Sequence, residues 1–257
     1  MSRPAIEFRN VSYRLEGDAG RELLHGLTLD VQPGETLVLL GRSGSGKTTT
    51  LKLINHLLTP SSGELCVEAR PVRDWDAIML RRRIGYVIQD VGLFPHFTVE
   101  RNIGLVPKIE NWPANRIADR VEELLKLVGL DREIGARYPR ELSGGQRQRV
   151  GVARALAADP PILLMDEPFG ALDPITRAEL QREFLDLQRR LQKTVVFVTH
   201  DLREALLLGT RIALMEAGRL VSVQTPEEFL TSTEPLASAY KDAFGTDLEI
   251  RTQRGHS

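Results

Sequence analysis

The first residues that could do chemistry form a glycine- and serine-rich loop. Residues 41–48 read Gly-Arg-Ser-Gly-Ser-Gly-Lys-Thr, which fits the pattern G-x-x-x-x-G-K-[ST]. Glycines let the backbone turn so that successive N–H groups face a phosphate, and a following helix adds the positive end of its dipole. Lys47 can reach the β- and γ-phosphates of a nucleoside triphosphate, and the Thr48 hydroxyl can bind Mg²⁺. We call residues 41–48 the phosphate loop.

Two adjacent carboxylates follow an apolar run later in the chain. Residues 162–165 are Ile-Leu-Leu-Met, and Asp166 and Glu167 come directly after them. Alone, two acids after a strand could equally be a solvated loop. Beside a phosphate loop, Asp166 is placed to hold the hydration shell of Mg²⁺. Glu167 can accept a proton from an attacking water molecule.

A third segment, Leu142-Ser143-Gly144-Gly145-Gln146, places two glycines ahead of a helix. As a bare pattern it could be a turn with a helix cap, or a second anion-binding helix N-terminus. Its sequence resembles the signature motif of the ATP-binding cassette (ABC) ATPases, and we call it the signature segment. The surrounding order also resembles that family: the phosphate loop, Gln89 at a strand end, this segment, the two acids, Ala171-Leu172-Asp173, and His200 after an apolar run. The resemblance spans about residues 5–225.

The resemblance implies a role for each matching residue. It implies that Tyr13 stacks on adenine, although a lone aromatic could also be a core or edge tyrosine. It implies that Gln89 reaches Mg²⁺ and the attacking water, and that His200 contacts the γ-phosphate. The implied catalytic residues are Glu167, His200, Gln89 and Lys47, and the implied Mg²⁺ ligands are Thr48, Gln89 and Asp166. The implied ATP-binding residues are Tyr13, Gly41, Arg42, Ser43, Gly44, Ser45, Gly46, Lys47, Thr48, Thr49, Ser143, Gly144, Gly145, Gln146 and Asp173.

The resemblance also implies partners. In ABC ATPases each ATP lies between the phosphate loop of one subunit and the signature segment of another, so one chain carries two half-sites. We therefore expect a head-to-tail dimer of two copies, with Asp173 at its seam. We also expect transmembrane permease subunits, which the loop after Gln89 senses, and indirectly a substrate-binding protein. Such a subunit lies peripherally on the cytoplasmic face of the inner membrane.

The elements that must position these residues are indicated by hydrophobic patterning. Short apolar or alternating runs predict strands at Ala5–Tyr13, Leu23–Val31, Thr36–Leu40, Ile84–Ile88, Pro161–Asp166, Thr194–Thr199, Ile212–Met215 and Leu220–Val223. Helical spacing predicts helices at Thr48–Leu58, Arg116–Val128, Val150–Ala158 and Thr176–Leu191. Strands alternating with helices indicate an α/β fold with a parallel sheet covered on both faces.

These elements group into three parts. We expect a P-loop NTPase (RecA-like) core with an antiparallel β edge subdomain over residues 1–89 and 161–230. Residues 90–160 are expected to form an inserted α-helical subdomain that carries the signature segment. Residues 231–257 are expected to be a C-terminal tail, and Arg251–Ser257 is polar enough to predict disorder.

Composition sets limits on function. The formal net charge of the 257 residues is −1, so the chain has no global attraction to nucleic acid, and we expect no nucleic-acid partner. The basic run Arg81-Arg82-Arg83 is interpreted as a solvated face or a contact between subdomains. Cys66 is the single cysteine and is interpreted as a small, half-buried hydrophobe. The first ten residues lack the apolar core of a signal peptide, and no apolar run reaches the length of a membrane span.

Local sequences indicate the kind of ABC ATPase. DNA-repair members carry a long coiled coil between phosphate loop and signature, and this interval lacks heptads. Ribosome-associated members carry two cassettes, and exporters usually fuse the cassette to membrane helices. Leu93–Val99 resembles the segment where importer cassettes dock the coupling helices of the permease, with a simple core turn as the alternative. Residues 167–173 read Glu-Pro-Phe-Gly-Ala-Leu-Asp, as importers do.

A finer resemblance points to importers of osmoprotectants such as glycine betaine, carnitine and choline. It is carried by residues 48–63, 170–183, 187–188 and 193–201, with Glu204-Ala205. Many such relatives carry a pair of regulatory CBS domains, for which too few residues follow the core here, so control through them is not expected. A polar amino-acid importer or a lipid-trafficking cassette would share all of these motifs. A soluble ABC ATPase acting as a regulator or assembly factor is the alternative outside transport.

Overall fold

The computed structural model of the protein describes residues 3–15, 20–89 and 91–252, with the backbone alone for 245–252. Within these residues the strands are β1 (Ile6–Arg14), β2 (Glu22–Val31), β3 (Thr36–Gly41), β4 (Ser62–Val67), β5 (Arg70–Pro71), β6 (Ile84–Val87), β7 (Ile162–Asp166), β8 (Thr194–Thr199), β9 (Arg211–Glu216) and β10 (Arg219–Gln224). The α-helices are α1 (Lys47–Ile54), α2 (Ala77–Arg82), α3 (Val99–Ile103), α4 (Leu105–Ile109), α5 (Ala114–Leu127), α6 (Gly144–Leu156), α7 (Pro174–Leu191), α8 (Leu202–Leu208), α9 (Pro226–Thr231) and α10 (Pro235–Thr252).

The central element is a six-stranded sheet with the order β10-β9-β3-β8-β7-β6. Strands β9, β3, β8, β7 and β6 run parallel, and β10 closes the edge antiparallel to β9. The predicted parallel sheet is therefore confirmed, and the two predicted strands Ile212–Met215 and Leu220–Val223 pair as a hairpin around Ala217 and Gly218. Parallel strands end at the same edge of a sheet, so this topology gathers the residues that follow β3, β6, β7 and β8.

Strand β3 explains why its sequence is continuously apolar. Leu37 and Leu39 face one hydrophobic cluster, which includes the antiparallel strands, whereas Val38 and Leu40 face the other cluster, which includes the helices. All four side chains have no exposed surface. Successive residues of a strand point to opposite faces, so burial on both faces removes the usual alternation of polar and apolar residues.

The second sheet is antiparallel, with the order β2-β1-β4-β5, which confirms the predicted pairing of the first two strands. Its third member, β4, was not predicted, because its sequence Ser-Gly-Glu-Leu-Cys-Val begins with polar, turn-forming residues. Cys66 lies in β4 and is 5% exposed, so it is more buried than expected. Burial is also the largest cause that raises the pKa of its thiol.

Helices α3 to α6 lie between β6 and β7, within the range predicted to be the helical insert. Helix α6 begins at Gly144, not at the predicted Val150, because its first turn is capped. Ser143 Oγ accepts from the Gln146 N–H at 3.2 Å, and the Gln146 side chain accepts from the Ser143 N–H at 2.9 Å. This reciprocal capping stabilises a helix start that two glycines would otherwise disfavour.

Helix α1 ends at Ile54, not at the predicted Leu58. His56 has a φ of 55°, in the left-handed region, and cannot continue a right-handed helix. The N–H groups of Leu57 and Leu58 both donate to the Lys52 carbonyl, which closes the helix end. Apolar residues continue past the helix because Leu58 packs against the core from the closing turn.

The C-terminal segment differs from the predicted tail. Helix α10 runs from Pro235 to Thr252, and Leu236, Ala237 and Tyr240 belong to the hydrophobic core. Arg251 and Thr252 are helical, which corrects the predicted disorder at these two positions, while residues 253–257 lie outside the described residues. The apolar spacing at 236, 237 and 240 is the signal that a longer helical window would have found.

Two remaining expectations concern the surface. In the basic run, Arg81 donates to the carbonyls of Asn55 and His56, and Arg83 pairs with Glu68, so two of the three arginines make contacts within the chain. Among the residues that the structure describes, no helix is both long and apolar enough to cross a membrane.

Candidate functional site

The phosphate loop connects β3 to α1. Gly46, the residue before the first turn of α1, has a φ of 100°, which a side chain with a Cβ rarely adopts. The Ser45 N–H donates to the Arg42 carbonyl at 3.2 Å and closes a turn inside the loop. Arg42, Ser43 and Gly44 are exposed, whereas Gly41, Ser45 and Lys47 are buried. The loop therefore leaves its outer half open to a ligand at the N-terminus of α1.

Lys47 lies at the centre of this loop. Its Nζ donates to the carbonyls of Gly41 at 2.7 Å and Arg42 at 2.9 Å. Burial lowers the pKa of the Lys47 ammonium, and the nearby charges of Glu167 and Asp166 act in the opposite direction. The carbonyls and the two carboxylates together hold a cation beneath the open face of the loop, where phosphate charge would be neutralised.

Asp166 ends strand β7 and faces the phosphate loop. Its Oδ1 accepts from the Thr48 hydroxyl at 3.0 Å, and its Oδ2 lies 3.5 Å from the Tyr86 hydroxyl. The carboxyl is 5% exposed, and burial raises its pKa while the bond from Thr48 opposes that shift. Tyr86 was not predicted as a site residue. The one signal for it is its position on β6, the strand that pairs with β7. Burial raises the pKa of the Tyr86 hydroxyl.

Glu167 follows Asp166 and has a φ of 45°, an uncommon conformation for a residue with a side chain. Two backbone bonds hold it: its N–H donates to the Val198 carbonyl at 3.0 Å, and its carbonyl accepts from Gly170 at 3.2 Å. Its Oε2 lies 3.2 Å from Nδ1 of His200, the residue after β8. The strained backbone thus turns the carboxylate towards the histidine at the shared strand edge.

A cavity of about 520 Å³ joins these parts. It is lined by Arg42, Ser43, Gln89, Glu167, His200, Ala239, Tyr240, Ala243 and Phe244. The structure therefore brings together residues of the phosphate loop with Gln89, Glu167 and His200, which the sequence indicates separately. It adds one face of α10, which lies in the segment whose sequence predicts a C-terminal tail.

A buried polar network lies beneath His200 and was also missed by sequence reasoning. The Thr199 hydroxyl donates to Glu204 Oε2 at 2.6 Å and accepts from the Asp201 N–H at 3.0 Å. Gln181 donates to the other oxygen of Glu204 at 3.0 Å. Burial raises the pKa of Glu204, which is 4% exposed. These bonds fix the backbone on both sides of His200.

The signature segment lies apart from this cavity. Ser143, Gly144, Gly145 and Gln146 are absent from the cavity lining within the described part of the chain. Because the Ser143 hydroxyl accepts the capping bond, its own proton stays available to a ligand at the helix N-terminus. The side chain of Gln146 is engaged with the Ser143 N–H. One chain therefore presents the phosphate loop and the signature segment as separate surfaces.

Asp173 caps α7. Its Oδ1 accepts from the N–H groups of Ile175 and Thr176, both at 3.1 Å, and the hydrogen bond from the Thr176 side chain is the largest cause that lowers the pKa of Asp173. Ile175, directly beyond the cap, is 74% exposed. A large apolar side chain held at an exposed helix start is suited to contact another surface.

Tyr13 lies in a different environment from the one that stacking needs. It is 8% exposed and belongs to the cluster beneath the antiparallel sheet, where it pairs with Leu24. This is the environment of a core tyrosine, which is the alternative to adenine stacking at this position. Only a small part of its ring is open to a ligand, so the adenine-stacking role stays a prediction.

The residues around Asp166 fit a hard divalent cation. Mg²⁺ prefers oxygen ligands, and a carboxylate and a hydroxyl stand 3.0 Å apart at the end of β7. Gln89 is exposed and lines the adjoining cavity. In the described ranges no cluster of three His, Cys, Asp or Glu side chains could hold a metal by itself. The donor set therefore suits an ion that takes further oxygen ligands from phosphates and water.

Comparison with known proteins agrees with this geometry. The sequence profile described as ABC transporter matches residues 24–170. The glycine betaine/carnitine/choline transport ATP-binding protein OpuCA of Bacillus subtilis is 55% identical over 82% of this chain and 56% of its own length. The osmoprotectant import ATP-binding protein OsmV of Salmonella typhimurium is 53% identical over 88% of this chain and 60% of its own length. The chain thus aligns with little more than half the length of these relatives.

Solved structures of ABC proteins share the fold. The structure of cbiO1 from Clostridium perfringens, part of the ABC transporter complex cbiONQ, superimposes with a TM-score of 0.82 at 28% identity, over 91% of this chain and 93% of that one. A dimeric post-hydrolysis state of the ATP-binding cassette MJ0796, bound to ADP and Pi, superimposes with a TM-score of 0.76 at 33% identity, over 86% of this chain and 98% of that one. The profile match, the relatives and the shared fold show that this chain belongs to the ABC transporter family and has its ATP-binding fold.

Proposed function

We propose that this chain is the ATP-hydrolysing subunit of an ABC importer for a small solute, most specifically a quaternary-amine osmoprotectant. One observation carries the enzymatic part. Glu167 and His200 meet at the edge of the sheet, next to a phosphate loop whose Lys47 is already held by loop carbonyls. This is the arrangement that attack of water on a terminal phosphate requires.

The proposed reaction is in-line attack of water on the γ-phosphate of ATP. Lys47 and the N–H groups of the phosphate loop bind the phosphates and balance their charge. Glu167 orients the water and accepts its proton, and His200, 3.2 Å from Glu167, contacts the γ-phosphate. Gln89 approaches the same cavity from the end of β6. The protein contributes positioning and electrostatics, with no covalent intermediate on the chain.

Thr48, Asp166 and Gln89 would hold Mg²⁺ in this proposal. When bound, the ion supplies positive charge against the phosphate oxygens. The chain's own contribution is to keep the Asp166 carboxylate aimed at that position through bonds from Thr48 and Tyr86. A chelator such as EDTA is expected to stop hydrolysis, and added Mg²⁺ to restore it.

Two copies of the chain are proposed to complete each site. The signature segment lies outside the cavity that holds the phosphate loop, so a second copy must supply Ser143, Gly145 and Gln146 to the bound ATP. The exposed Ile175 beside Asp173 and the dimeric state of the MJ0796 cassette support this arrangement. The test is the ATPase rate per subunit measured over a range of protein concentrations. The rate should rise with dimer formation, and a concentration-independent rate would contradict the shared site.

The proposed permease surface is a groove of about 880 Å³ in the helical insert. It has an apolar floor that includes Phe97, Leu105 and Ile117, and a rim that includes Arg101 and Lys108. Phe97 belongs to the predicted docking segment, Leu93–Val99. A groove with an apolar floor and a charged rim suits a short amphipathic helix, which is the form of a permease coupling helix.

The groove can be tested by charge reversal. Lys108→Glu is expected to reduce co-purification with the permease while leaving ATP binding by the isolated chain unchanged. Lys126→Glu is the matched control, because Lys126 is exposed on α5 in the same subdomain and outside the groove lining. Equal effects of the two variants would contradict the assignment. A chain that co-purifies with no permease at all would favour the soluble regulator or assembly factor.

The solute class rests on relatives. OpuCA and OsmV are described as serving glycine betaine, carnitine, choline or osmoprotectant transport. The solute never touches this subunit in such systems, so the nucleotide site does not select the solute. Polar amino-acid import and lipid trafficking are therefore the alternative functions. We place the subunit at the cytoplasmic face of the membrane, with a substrate-binding protein acting through the permease. Uptake of labelled betaine, choline and carnitine by cells with and without the gene is the decisive measurement.

A further inference from the structure

The short segment that carries Gln89 is attached to the signature helix. We call Ile88, Gln89, Val91 and Gly92 the glutamine segment. The Val91 N–H donates to the Ile88 carbonyl at 2.9 Å, so Gln89 lies inside a closed turn. From α6, Arg154 donates to the Gly92 carbonyl at 2.6 Å and to the Val91 carbonyl at 2.5 Å. The planar guanidinium thus binds the carbonyl of Val91, the last residue of this turn, and the carbonyl of the next residue, Gly92.

The backbone at these carbonyls is strained. Val91 has a φ of 57° and Gly92 a φ of 54°, so two consecutive residues adopt the left-handed conformation. Glycine tolerates this, but a β-branched residue such as valine is a genuine outlier there. Such a conformation persists only where surrounding contacts enforce it. The two hydrogen bonds from Arg154 act at the strained positions themselves.

Packing against α6 enforces the same geometry. Gly151 lies three residues before Arg154, on the same helix face. A Cβ at Gly151 would stand 2.5 Å from Cγ1 of Val91, which is closer than two carbon atoms can approach. Because Gly151 has no side chain, the side chain of Val91 packs directly against the backbone of α6. One helix therefore supplies two hydrogen bonds, at Val91 and Gly92, and an apolar contact at Val91.

We propose that Arg154 is a positioning residue that fixes Gln89 at the catalytic cavity by holding the strained Val91–Gly92 backbone. The proposal rests on the proposed ATPase function, because Gln89 lines the cavity with Glu167 and His200. Arg154 itself is not among the lining residues and acts through the segment. Burial lowers the pKa of Arg154, but an arginine remains charged, so both charge-assisted bonds persist at neutral pH.

One mechanical consequence follows. Helix α6 starts at the signature segment and carries Arg154 near its other end. A rigid-body movement of α6 would therefore displace Gln89 of the same chain together with the Ser143 helix tip that serves the second copy. Arg154 would thus link the two half-sites that one chain presents.

The test compares Arg154, which donates from α6 to two carbonyls of the glutamine segment, with Arg120, which donates from α5 to two carbonyls at the end of α6. Arg154→Met removes the bonds to the glutamine segment, and Arg154→Lys keeps the charge with a single donor group. Arg120→Met is the matched control, because Arg120 donates to the carbonyls of Leu156 and Ala157 at 2.9 and 3.2 Å, away from Gln89. Both methionine variants lose two carbonyl bonds near the end of α6, so a merely structural effect should be similar in the two.

The first readout is hydrogen exchange of the full chain. Peptides that cover residues 86–95 should exchange faster in Arg154→Met than in the wild type and Arg120→Met, with Arg154→Lys intermediate. Unchanged exchange in Arg154→Met would overturn the proposal. This measurement needs no ATPase activity. A wild-type chain without ATPase activity would therefore refute the proposed function while exchange still decides the role of Arg154.

The second readout is a double-mutant cycle on kcat with Gln89→Ala. Arg154→Met should lower kcat roughly tenfold with little change in ATP affinity, and the double variant should be no slower than Gln89→Ala alone, since the two act as one unit. Arg120→Met combined with Gln89→Ala should be additive. A further loss on adding Arg154→Met to Gln89→Ala, or a loss from Arg154→Met where Gln89→Ala has none, would show that Arg154 does not act through Gln89.

Discussion

The Nδ1 atom of His200 lies 3.2 Å from Oε2 of Glu167, although 33 positions separate the two residues in the chain. The contact exists because β7 and β8 are neighbouring parallel strands, and each residue follows its strand at the same edge of the sheet. Glu167 is held there in a left-handed backbone conformation, while the His200 side chain is 61% exposed. The carboxylate of Glu167, the proposed base, is thus fixed, while the side chain of His200 stays open to solvent.

Replacing the base should separate ATP binding from hydrolysis. Glu167→Gln keeps the size of the side chain and a polar contact for His200 but cannot accept a proton. Loss of a general base lowers turnover by roughly a hundredfold or more, while binding persists. Gel filtration with Mg²⁺ and ATP should show a stable dimer, and a phosphate-release assay should show little turnover. Glu179→Gln, an exposed change on α7, is the control. Rapid turnover by Glu167→Gln would remove Glu167 from this role.

Replacing the buried lysine should weaken ATP binding itself. A charge-assisted hydrogen bond contributes about 1.5–3 kcal/mol, so Lys47→Ala should reduce ATP affinity roughly 10- to 100-fold. Calorimetric titration of the isolated chain measures this directly. Lys52→Ala is the matched control, because Lys52 is exposed on the same helix. Equal affinity in the wild type and Lys47→Ala would count against the phosphate-loop assignment.

The signature serine should matter for turnover but not for binding by one chain. In the proposed dimer the Ser143 hydroxyl contacts ATP bound to the second copy. Ser143→Ala should therefore leave the ATP affinity of the monomer nearly intact while kcat falls. The change also removes a helix cap, which costs about 1 kcal/mol. Thr225→Ala is the control, since it removes the capping box of α9 away from the site. Comparable losses of turnover in the two variants would point to helix stability rather than to a shared site.

The buried carboxylate of Asp166, a proposed Mg²⁺ ligand, should lower the stability of the fold at neutral pH. Burial raises the folded-state pKa of Asp166 above its unfolded value. Stability that comes with the protonated form is therefore present at low pH and is lost as pH rises through the folded-state pKa. Asp166→Asn has no carboxylate to titrate and does not lose this stability. The Tm of Asp166→Asn minus the Tm of the nucleotide-free wild type should therefore be larger at about pH 7.5 than at about pH 4.5. Thermal scans at both pH values measure it, and an advantage that shrinks as pH rises would contradict the argument. Mg²⁺-dependent hydrolysis should be lost in the same variant.

The network beneath His200 should be needed for a stable fold. Thr199→Val keeps the side-chain shape but removes the bond to Glu204 and the acceptor for the Asp201 N–H. Leaving buried polar groups unpaired costs about 1–3 kcal/mol each, so the free energy of unfolding should fall by an amount of that order. Denaturant titration measures the change. A variant as stable as the wild type would mean that water or Gln181 takes over these bonds.

Comparison of sequence and structure shows where local signals suffice. The phosphate loop, the two acids after β7 and the signature segment were recognisable because their chemistry depends on residues adjacent in the chain. The strands around them were recognisable because burial on both faces demands continuous apolar runs, as in Thr36–Leu40. Element ends were less accurate, since the ends of α1 and α6 depend on a left-handed residue and on a capping box.

What the sequence determined by itself is membership of the ABC ATPase family, through motifs of adjacent residues, and the α/β frame that carries them. Only the tertiary structure decided that Tyr13 is buried, that Tyr86 faces Asp166, that α10 borders the cavity of Glu167 and His200, and that Arg154 binds the glutamine segment. The last three of these join residues far apart in the chain. Such pairs leave no periodic pattern in the sequence, because their proximity arises from how the strands order in the sheet and how the helices pack across it.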